Sequence, residues 1–550
     1  MSRGLRTAIL ALALIALGAS PAPAARTQES IIMDDAHVVY VTPERLDRVF
    51  AEFKRLGVDR VRVSVYWHLI APAPNQRTRP SFDAADPSAY PASHWDRYDA
   101  IVRAAAKHRL GLLFTLTGPA PLWATKVPER EDIAQTYDPN PGEFRAFVEA
   151  VGKRYSGSWR DEVQAPPPQR TCGLLGCTEE QPEAPQGEVL PRVTHWSIWN
   201  EPNHPGWLTP QWLPDPRNAS LPLLPAAARI YRSLVDAAWA GLAASGHGGD
   251  VILLGETAPR GLNDRGLTRA IRPLEFIREL YCLDRSLQPH QGEEAQVRGC
   301  PGTRDAFVAQ HPGLFHASGW AHHPYSLEQA PTRGDRQRDN VVLADLGRLT
   351  RTLDRIFRRH GSSRRLPVWL TEYGYQTDPP DPTIGVSWAR QAAWINAAEY
   401  LAYRNRRVAS MAQFLLWDDG PLTAYPASDP RYWGTFQSGL KTNDGKRKRS
   451  YAAYQRPIHV TPAQARRGQA IRVFGGLRNA DWRRVTARLQ FRRGRRGRYR
   501  TLREVTVRHP SGYVHMRTRA RGSGWYRLAW QDGSRTLTSR AVRVRVSGRR

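Results

Sequence analysis

The sequence predicts an α/β protein made of a (β/α)8 TIM barrel followed by a small all-β sandwich. Its 550 residues exceed what one hydrophobic core normally contains. Residues 30–455 alternate strand and helix patterns eight times, which favours a closed parallel barrel. From about residue 457 short alternating segments separated by turn residues take over. We therefore expect a signal peptide at 1–25, a barrel at 26–455 and an immunoglobulin-like or fibronectin-like sandwich at 456–550.

The first 25 residues have the pattern of a secretory signal. Arg3 and Arg6 precede an apolar run, Ile9 to Leu17, and small residues follow as far as Ala24. The run is too short to cross a bilayer, and no later stretch approaches the roughly 20 apolar residues that a membrane helix needs. We expect a secreted or cell-envelope protein, and the alternative is an uncleaved anchor.

The predicted barrel strands are apolar or alternating segments that end at turn signals: Ile31–Tyr40, Val58–Trp67, Gly111–Gly118, Val193–Trp199, Val251–Glu256, Phe315–His323, Pro367–Tyr373 and Val408–Trp417. The first helix begins at Thr42-Pro43, a cap and first-turn pair, and ends at Gly57. The later helices follow the same periodicity near Trp95–Lys107, Gly142–Tyr155, Ala226–Ala244, Leu274–Tyr281, Val341–Arg359 and Trp388–Tyr403.

Four cysteines form two local pairs in loops rich in Pro, Gly and Gln, Cys172 with Cys177 and Cys282 with Cys300. An exported protein meets an oxidising compartment, so we expect two disulfides. Four free thiols are the alternative. A zinc site is not favoured because no further ligand stands at the required spacing.

The net charge of +29 is concentrated in the tail. Residues 456–550 contain 26 Arg, no Lys and three acids. One explanation is contact with an anionic polymer, such as a cell-wall polyanion, a uronate glycan or extracellular nucleic acid. The other is coding bias, since only seven of the 80 basic residues are lysine. Nucleic-acid binding as a main function is not favoured, because no recognition helix or RNA-binding motif is present.

Polar residues follow several barrel strands, where this architecture builds its chemistry. Glu201 follows the fourth strand and Glu372 the seventh. Two carboxylates facing each other across a sugar are the minimum apparatus for glycoside hydrolysis. The alternative is two unrelated, salt-bridged glutamates.

Glu201 lies in the stretch WNEPN, among tryptophans. Proline lacks a backbone N–H, so the strand should end at Asn200-Glu201-Pro202 and present Asn200 and Glu201 at its carboxyl edge. Burial among tryptophans should favour the protonated form that a general acid requires. Neighbours on a strand point to opposite faces, so Asn200 and Glu201 share the site only if the strand has already broken.

The motifs WNEPN, His323-Pro324-Tyr325 and LTEYG, in this order along residues 30–455, resemble the clan-A glycoside hydrolases, in particular the cellulase/mannanase-like and β-xylosidase-like groups. The resemblance implies retention of configuration, with Glu201 as acid/base and Glu372 as nucleophile. It further implies substrate-site roles for Arg62, Asn200, His323, Tyr325 and Trp417. The histidine that the cellulase-like group carries after strand three is missing, which weakens assignment to glucan or mannan.

Trp67 and Trp123 are further candidates for stacking on sugar, although each alone fits a packed core residue equally well. The motifs imply neither a metal nor another cofactor. Two function classes stay open. One is a retaining hydrolase of a β-linked carbohydrate, and the other is a non-hydrolytic extracellular protein that binds carbohydrate or cell wall.

Overall fold

Eight parallel strands close into a barrel, which confirms the predicted fold class. The computed structural model describes residues 27–160, 187–478, 484–509 and 511–547, and the backbone alone of 169–173 and 176–180. The predicted signal peptide lies outside these ranges. The strands are β1 Glu29–Met33, β2 Arg60–Tyr66, β3 Gly111–Thr117, β4 His195–Ile198, β5 Val251–Thr257, β6 Gly319–His322, β7 Val368–Leu370 and β8 Val408–Phe414. Consecutive strands are neighbours, and β8 pairs with β1.

Helices pack around the barrel, and all but the last lie close to their predicted places. They are α1 Pro43–Leu56, α2 Ala92–His108, α3 Pro141–Arg154, α4 Ala226–Ala244, α5 Pro273–Leu280, α6 Leu346–Arg359, α7 Trp388–Arg404 and α8 Arg449–Gln455. Loops carry the short helices Asp35–Val38, Trp67–Ile70, Gly292–Val297, Arg304–Gln310 and Pro312–His316. Two of these correct the predicted strand limits: β1 stops before Asp35–Val38, and β6 begins only after Pro312–His316.

The barrel interior is filled by a small cluster of side chains from six strands, Ile31, Leu113, Leu253, Ala321, Trp369 and Ala412. A larger core lies between the strands and the surrounding helices. Because the interior is packed, reactants can reach only the ends of the strands.

The tail forms two sheets over a single shared core, which confirms the predicted all-β region. The strands are β9 Ile458–Thr461, β10 Gln464–Arg466, β11 Ala470–Gly476, β12 Val485–Arg492, β13 Arg500–Val507, β14 Tyr513–Arg519, β15 Gly524–Asp532, β16 Arg535–Thr538 and β17 Val542–Ser547. Only two residues separate the end of α8 from the start of β9.

The tail packs directly on α7, the helix that follows β7. Tyr400 and Tyr403 of this helix contact the Phe474 ring, at centroid distances of 5.5 and 4.9 Å. Beside them the buried guanidinium of Arg478 donates to Glu399 at 2.5 Å. The two regions are therefore joined by an apolar contact and a buried ion pair.

Cys282 and Cys300 form a disulfide, as predicted. Cys172 and Cys177 stand opposite each other in a two-stranded hairpin described only by its backbone, so their pairing stays a prediction. Among the described residues, no helix combines the length and the apolar character needed to cross a membrane.

Candidate active site

A cleft of about 720 Å³ opens at the carboxyl ends of the barrel strands. Asn200, Glu201, Tyr325 and Glu372 line it together. Arg62 and His323 are fully buried and contact these side chains from below. The structure thus brings together six of the residues that the sequence singles out.

The backbone turns at WNEPN, because β4 ends at Ile198, one residue before the predicted limit at Trp199. Trp199 and Glu201 both have left-handed backbone conformations, with φ of 60° and 36°. Such residues cost roughly 1–3 kcal/mol each and need support from their surroundings. The Glu201 N–H supplies part of it by donating to the Glu256 carbonyl at 3.0 Å. This turn lets neighbouring side chains, Asn200 and Glu201, face the same site.

Glu372 is held by one donor on each carboxylate oxygen. Arg62 donates to Oε1 at 2.7 Å, and the Tyr325 hydroxyl donates to Oε2 at 2.9 Å. Burial and the nearby charge of Glu372 raise the pKa of Tyr325 well above its usual value, so the phenol keeps the proton that it donates. Arg62 also donates to Oδ1 of Asn200 at 2.7 Å, which ties both residues to one guanidinium.

His323 bridges two glutamates. Its Nδ1 lies 2.8 Å from Oε1 of Glu201, and its Nε2 lies 2.7 Å from Oε2 of Glu256. Burial lowers the pKa of His323, but the carboxylates of Glu372, Glu201 and Glu256 outweigh burial and raise this pKa to about 10. At neutral pH the ring is therefore an imidazolium that donates from both nitrogens.

The prediction that burial keeps Glu201 protonated is wrong for the site without substrate. Burial does raise the pKa of Glu201, but the hydrogen bond and positive charge of His323 outweigh it, and the net shift is downward. The sequence could not reveal this partner, which lies 122 positions away. In the resting site the proton of this pair sits on His323.

Glu256 is a site residue that the sequence reasoning missed. It is fully buried, and the hydroxyls of Ser197 and Thr371 each donate to it at 2.5 Å. Burial raises its pKa, but Arg62, 3.3 Å away, and His323 outweigh burial and lower this pKa to about 2. We call Arg62, Asn200, Glu256 and His323 the floor of the site.

A backbone irregularity turns Glu256 inward. The pairing of β5 with β6 shifts register between Leu254 and Thr257, and Gly255 and Glu256 have φ of 109° and 41°. A bulge of this kind re-aims a side chain. The available signal was a third glutamate at the end of a predicted strand, in VILLGET.

The three predicted tryptophans lie outside the residues that line the cleft. The Trp417 ring stacks on His37 at 4.5 Å, and the Lys441 ammonium lies 4.2 Å from its centre. Trp67 is fully buried and packs edge-on against Trp123. Packing partners therefore occupy these rings, and the predicted stacking on sugar is not supported for them.

Glu201, His323 and Glu372 each place one candidate ligand atom within 4.8 Å of the others, a spacing that a metal ion could use. A histidine binds a metal as a neutral imidazole, through a nitrogen that carries no proton. Both nitrogens of His323 are directed at carboxylates and its pKa is raised to about 10, so this set does not fit a metal.

The arginine-rich segment of the tail is far from these groups in sequence and lies in the turn between β12 and β13, where Arg493, Arg495 and Arg496 are exposed. Nothing in the described residues identifies a partner for it. Binding of an anionic polymer there stays a prediction.

No protein-family model matches this chain, and no curated protein matches it. Similar solved structures include a monomeric β-xylosidase from Caulobacter crescentus, with 13% identity over 90% of this chain and 95% of that one and a TM-score of 0.42. A family 51 α-L-arabinofuranosidase from Bifidobacterium longum has 10% identity over 96% of both chains and a TM-score of 0.41. A β-glucuronidase from Parabacteroides merdae has 10% identity and a TM-score of 0.37, and the match covers 95% of this chain but only 50% of that one.

Proposed function

We propose that this protein is a retaining glycoside hydrolase in which Glu372 is the nucleophile and Glu201 the acid/base. The observation that carries this proposal is the spacing of the two carboxylates. One oxygen of each lies within 4.8 Å of the other, in the same cleft. Retaining enzymes hold their two carboxyl groups about 5–5.5 Å apart, whereas inverting enzymes leave room for a water molecule between them.

In the first step an oxygen of Glu372 attacks the anomeric carbon while the bond to the leaving oxygen breaks. Arg62 and Tyr325 fix the attacking carboxylate through one hydrogen bond to each oxygen. The proton for the leaving oxygen comes from the His323–Glu201 pair, through Glu201. The products are a covalent glycosyl ester on Glu372 and a free alcohol.

In the second step water attacks the anomeric carbon of the ester, and the bond to Glu372 breaks. The Glu201–His323 pair accepts the proton of that water and returns to its resting state. Asn200, held by Arg62, is placed to bond a sugar hydroxyl beside the reacting carbon. Two displacements at one carbon restore the original configuration.

This proposal is favoured over non-hydrolytic binding because both carboxylates keep their orienting partners. The test is incubation with a panel of 2-deoxy-2-fluoro glycosides, followed by peptide mapping with mass spectrometry. We expect the label on Glu372, and we expect NMR of the first product to show the substrate's anomeric configuration. Label on another residue, or undiminished turnover in Glu372→Ala, would contradict the assignment. Glu293→Gln, an exposed carboxylate change outside the cleft, is the matched control.

A further inference from the structure

The mouth of the cleft carries an unusual concentration of exposed apolar side chains. Nine large apolar side chains are exposed among the described residues, and five of them line this one cleft. We call these five the rim: Tyr40, Leu262, Leu327, Ile384 and Phe436. They come from the loops after β1, β5, β6, β7 and β8, and they are 36–55% exposed. Exposed apolar patches of this kind mark binding sites.

The rim is continuous with the reacting groups. The Phe436 ring packs edge-on against Phe414 at 5.3 Å, and Phe414 packs edge-on against Tyr325 at 6.2 Å. The Tyr325 hydroxyl in turn donates to Glu372. An unbroken apolar path therefore leads from the mouth of the cleft to the proposed nucleophile.

The composition of the rim does not suit a sugar in the leaving-group position. Three of its five members are aliphatic and offer no hydrogen bond. The hydroxyls of an oligosaccharide placed against these side chains would lose bonds to water, and within the rim only Tyr40 could replace one of them. An apolar group placed there would instead remove two apolar surfaces from water, which is favourable.

We propose that the substrate is a glycoside with an apolar aglycone, meaning an alkyl chain or a fused hydrocarbon ring system. Its sugar lies above the floor, and its aglycone lies against the rim. A cleft of about 720 Å³ is within the range of sites that hold ligands of this size. This inference rests on the proposed hydrolase function and adds the class of its leaving group.

A series of alkyl glycosides tests the inference. Methyl, butyl, hexyl and octyl glycosides of the accepted sugar are compared below their critical micelle concentrations. We expect kcat/KM to rise about fourfold for each methylene that the rim buries, since each contributes about 0.8 kcal/mol. A flat series, or a disaccharide hydrolysed with a higher kcat/KM than the octyl glycoside, would overturn the proposal.

Substitutions in the rim test whether its side chains cause the dependence of kcat/KM on chain length. In Leu327→Gln and Phe436→Gln we expect the ratio of kcat/KM for octyl over methyl glycoside to fall about tenfold. Leu221→Gln is the matched control, because Leu221 is similarly exposed but lies outside the cleft, and it should keep the wild-type ratio. An unchanged ratio in both rim variants would place the apolar contact elsewhere and overturn the assignment.

Calorimetry with the Glu372→Gln protein separates this inference from the proposed hydrolysis. If wild type cleaves no glycoside but alkyl glycosides bind more tightly as their chains lengthen, hydrolysis fails and the apolar site stands. If methyl glycosides are cleaved and the series is flat, hydrolysis stands and the apolar site fails. The last experiment measures cleavage of a long-chain glycoside embedded in phosphatidylcholine vesicles. Cleavage there points to a lipid-embedded source, and cleavage only of dissolved glycosides points to a free one; both support an apolar aglycone.

Discussion

The floor of the cleft consists of buried polar side chains, whereas its rim consists of exposed apolar ones. On the floor Arg62, Glu256 and His323 are fully buried, and each is bonded to at least two other side chains. The rim side chains are apolar and partly exposed on loops. A bonded floor fixes the positions of individual atoms, whereas an apolar rim selects only for apolar surface. In the proposed hydrolase, the floor therefore sets the reaction geometry and the rim sets the choice of leaving group.

The largest effect should come from Glu201, which faces the substrate from the floor side. We expect Glu201→Ala to lower kcat/KM for alkyl glycosides by about 10²–10⁴-fold, since their leaving oxygens need a proton. For 2,4-dinitrophenyl glycosides the loss should be much smaller, and added azide should restore turnover as a glycosyl azide of retained configuration. An equal loss for both leaving groups, measured by steady-state kinetics, would argue against proton donation by Glu201.

Substitutions on the floor and on the rim should also differ in their effect on the free energy of unfolding. Arg62→Met leaves the buried carboxylates of Glu256 and Glu372 without their cation, so we expect a loss of about 3–5 kcal/mol in the free energy of unfolding. Leu327→Gln on the rim should change this free energy by no more than about 0.5 kcal/mol. Urea unfolding followed by tryptophan fluorescence measures both. Similar losses in the two variants would break the contrast between floor and rim.

A smaller effect on rate is expected from Glu256→Gln. This change keeps the shape of the side chain but removes a charge-assisted hydrogen bond to His323, which is worth about 1.5–3 kcal/mol. We expect kcat to fall roughly 10- to 100-fold while KM changes little. A loss confined to KM would show that Glu256 acts on binding and not on the positioning of His323 and Glu201.

The hydrogen bond between Glu256 and His323 also makes the stability of the protein depend on pH. The pKa of His323 is raised from 6.5 to about 10, so its contribution to stability is complete below about pH 6.5 and is lost as the pH rises through about 10. In Glu256→Gln the pKa of His323 should fall, and stability should depend less on pH across this interval. Nitrogen-15 NMR of the His323 ring measures the pKa directly, and Glu293→Gln should leave it at the wild-type value. An unshifted pKa in Glu256→Gln would show that Glu256 does not sustain the imidazolium.

The barrel and its two facing glutamates could be predicted from the sequence because each depends on local patterns. Strand and helix periodicity recurs eight times, and WNEPN and LTEYG each mark the end of a strand. In a parallel barrel all strands end on the same face, so topology brought Glu201 and Glu372 together without knowledge of any contact.

Other parts of the site depend on features that such patterns do not contain. Glu256 points inward only because the chain bulges at Gly255. Trp417 follows a strand as the residues of the candidate site do, yet its ring packs on His37. The rim gathers single side chains from five loops that have no common motif. For Glu256 the direction of the side chain depends on two backbone angles, which no local sequence pattern contains.

The contact between α7 and the tail affects how the chain can be truncated. Domains of one chain commonly fold independently, so that one of them can be removed or exchanged. A chain shortened to Gln455 would expose Tyr400 and Tyr403 to water. It would also leave the buried Glu399 without the guanidinium of Arg478. The affected helix directly follows the strand that leads to Glu372. We therefore expect the barrel to be less stable when the sandwich is removed.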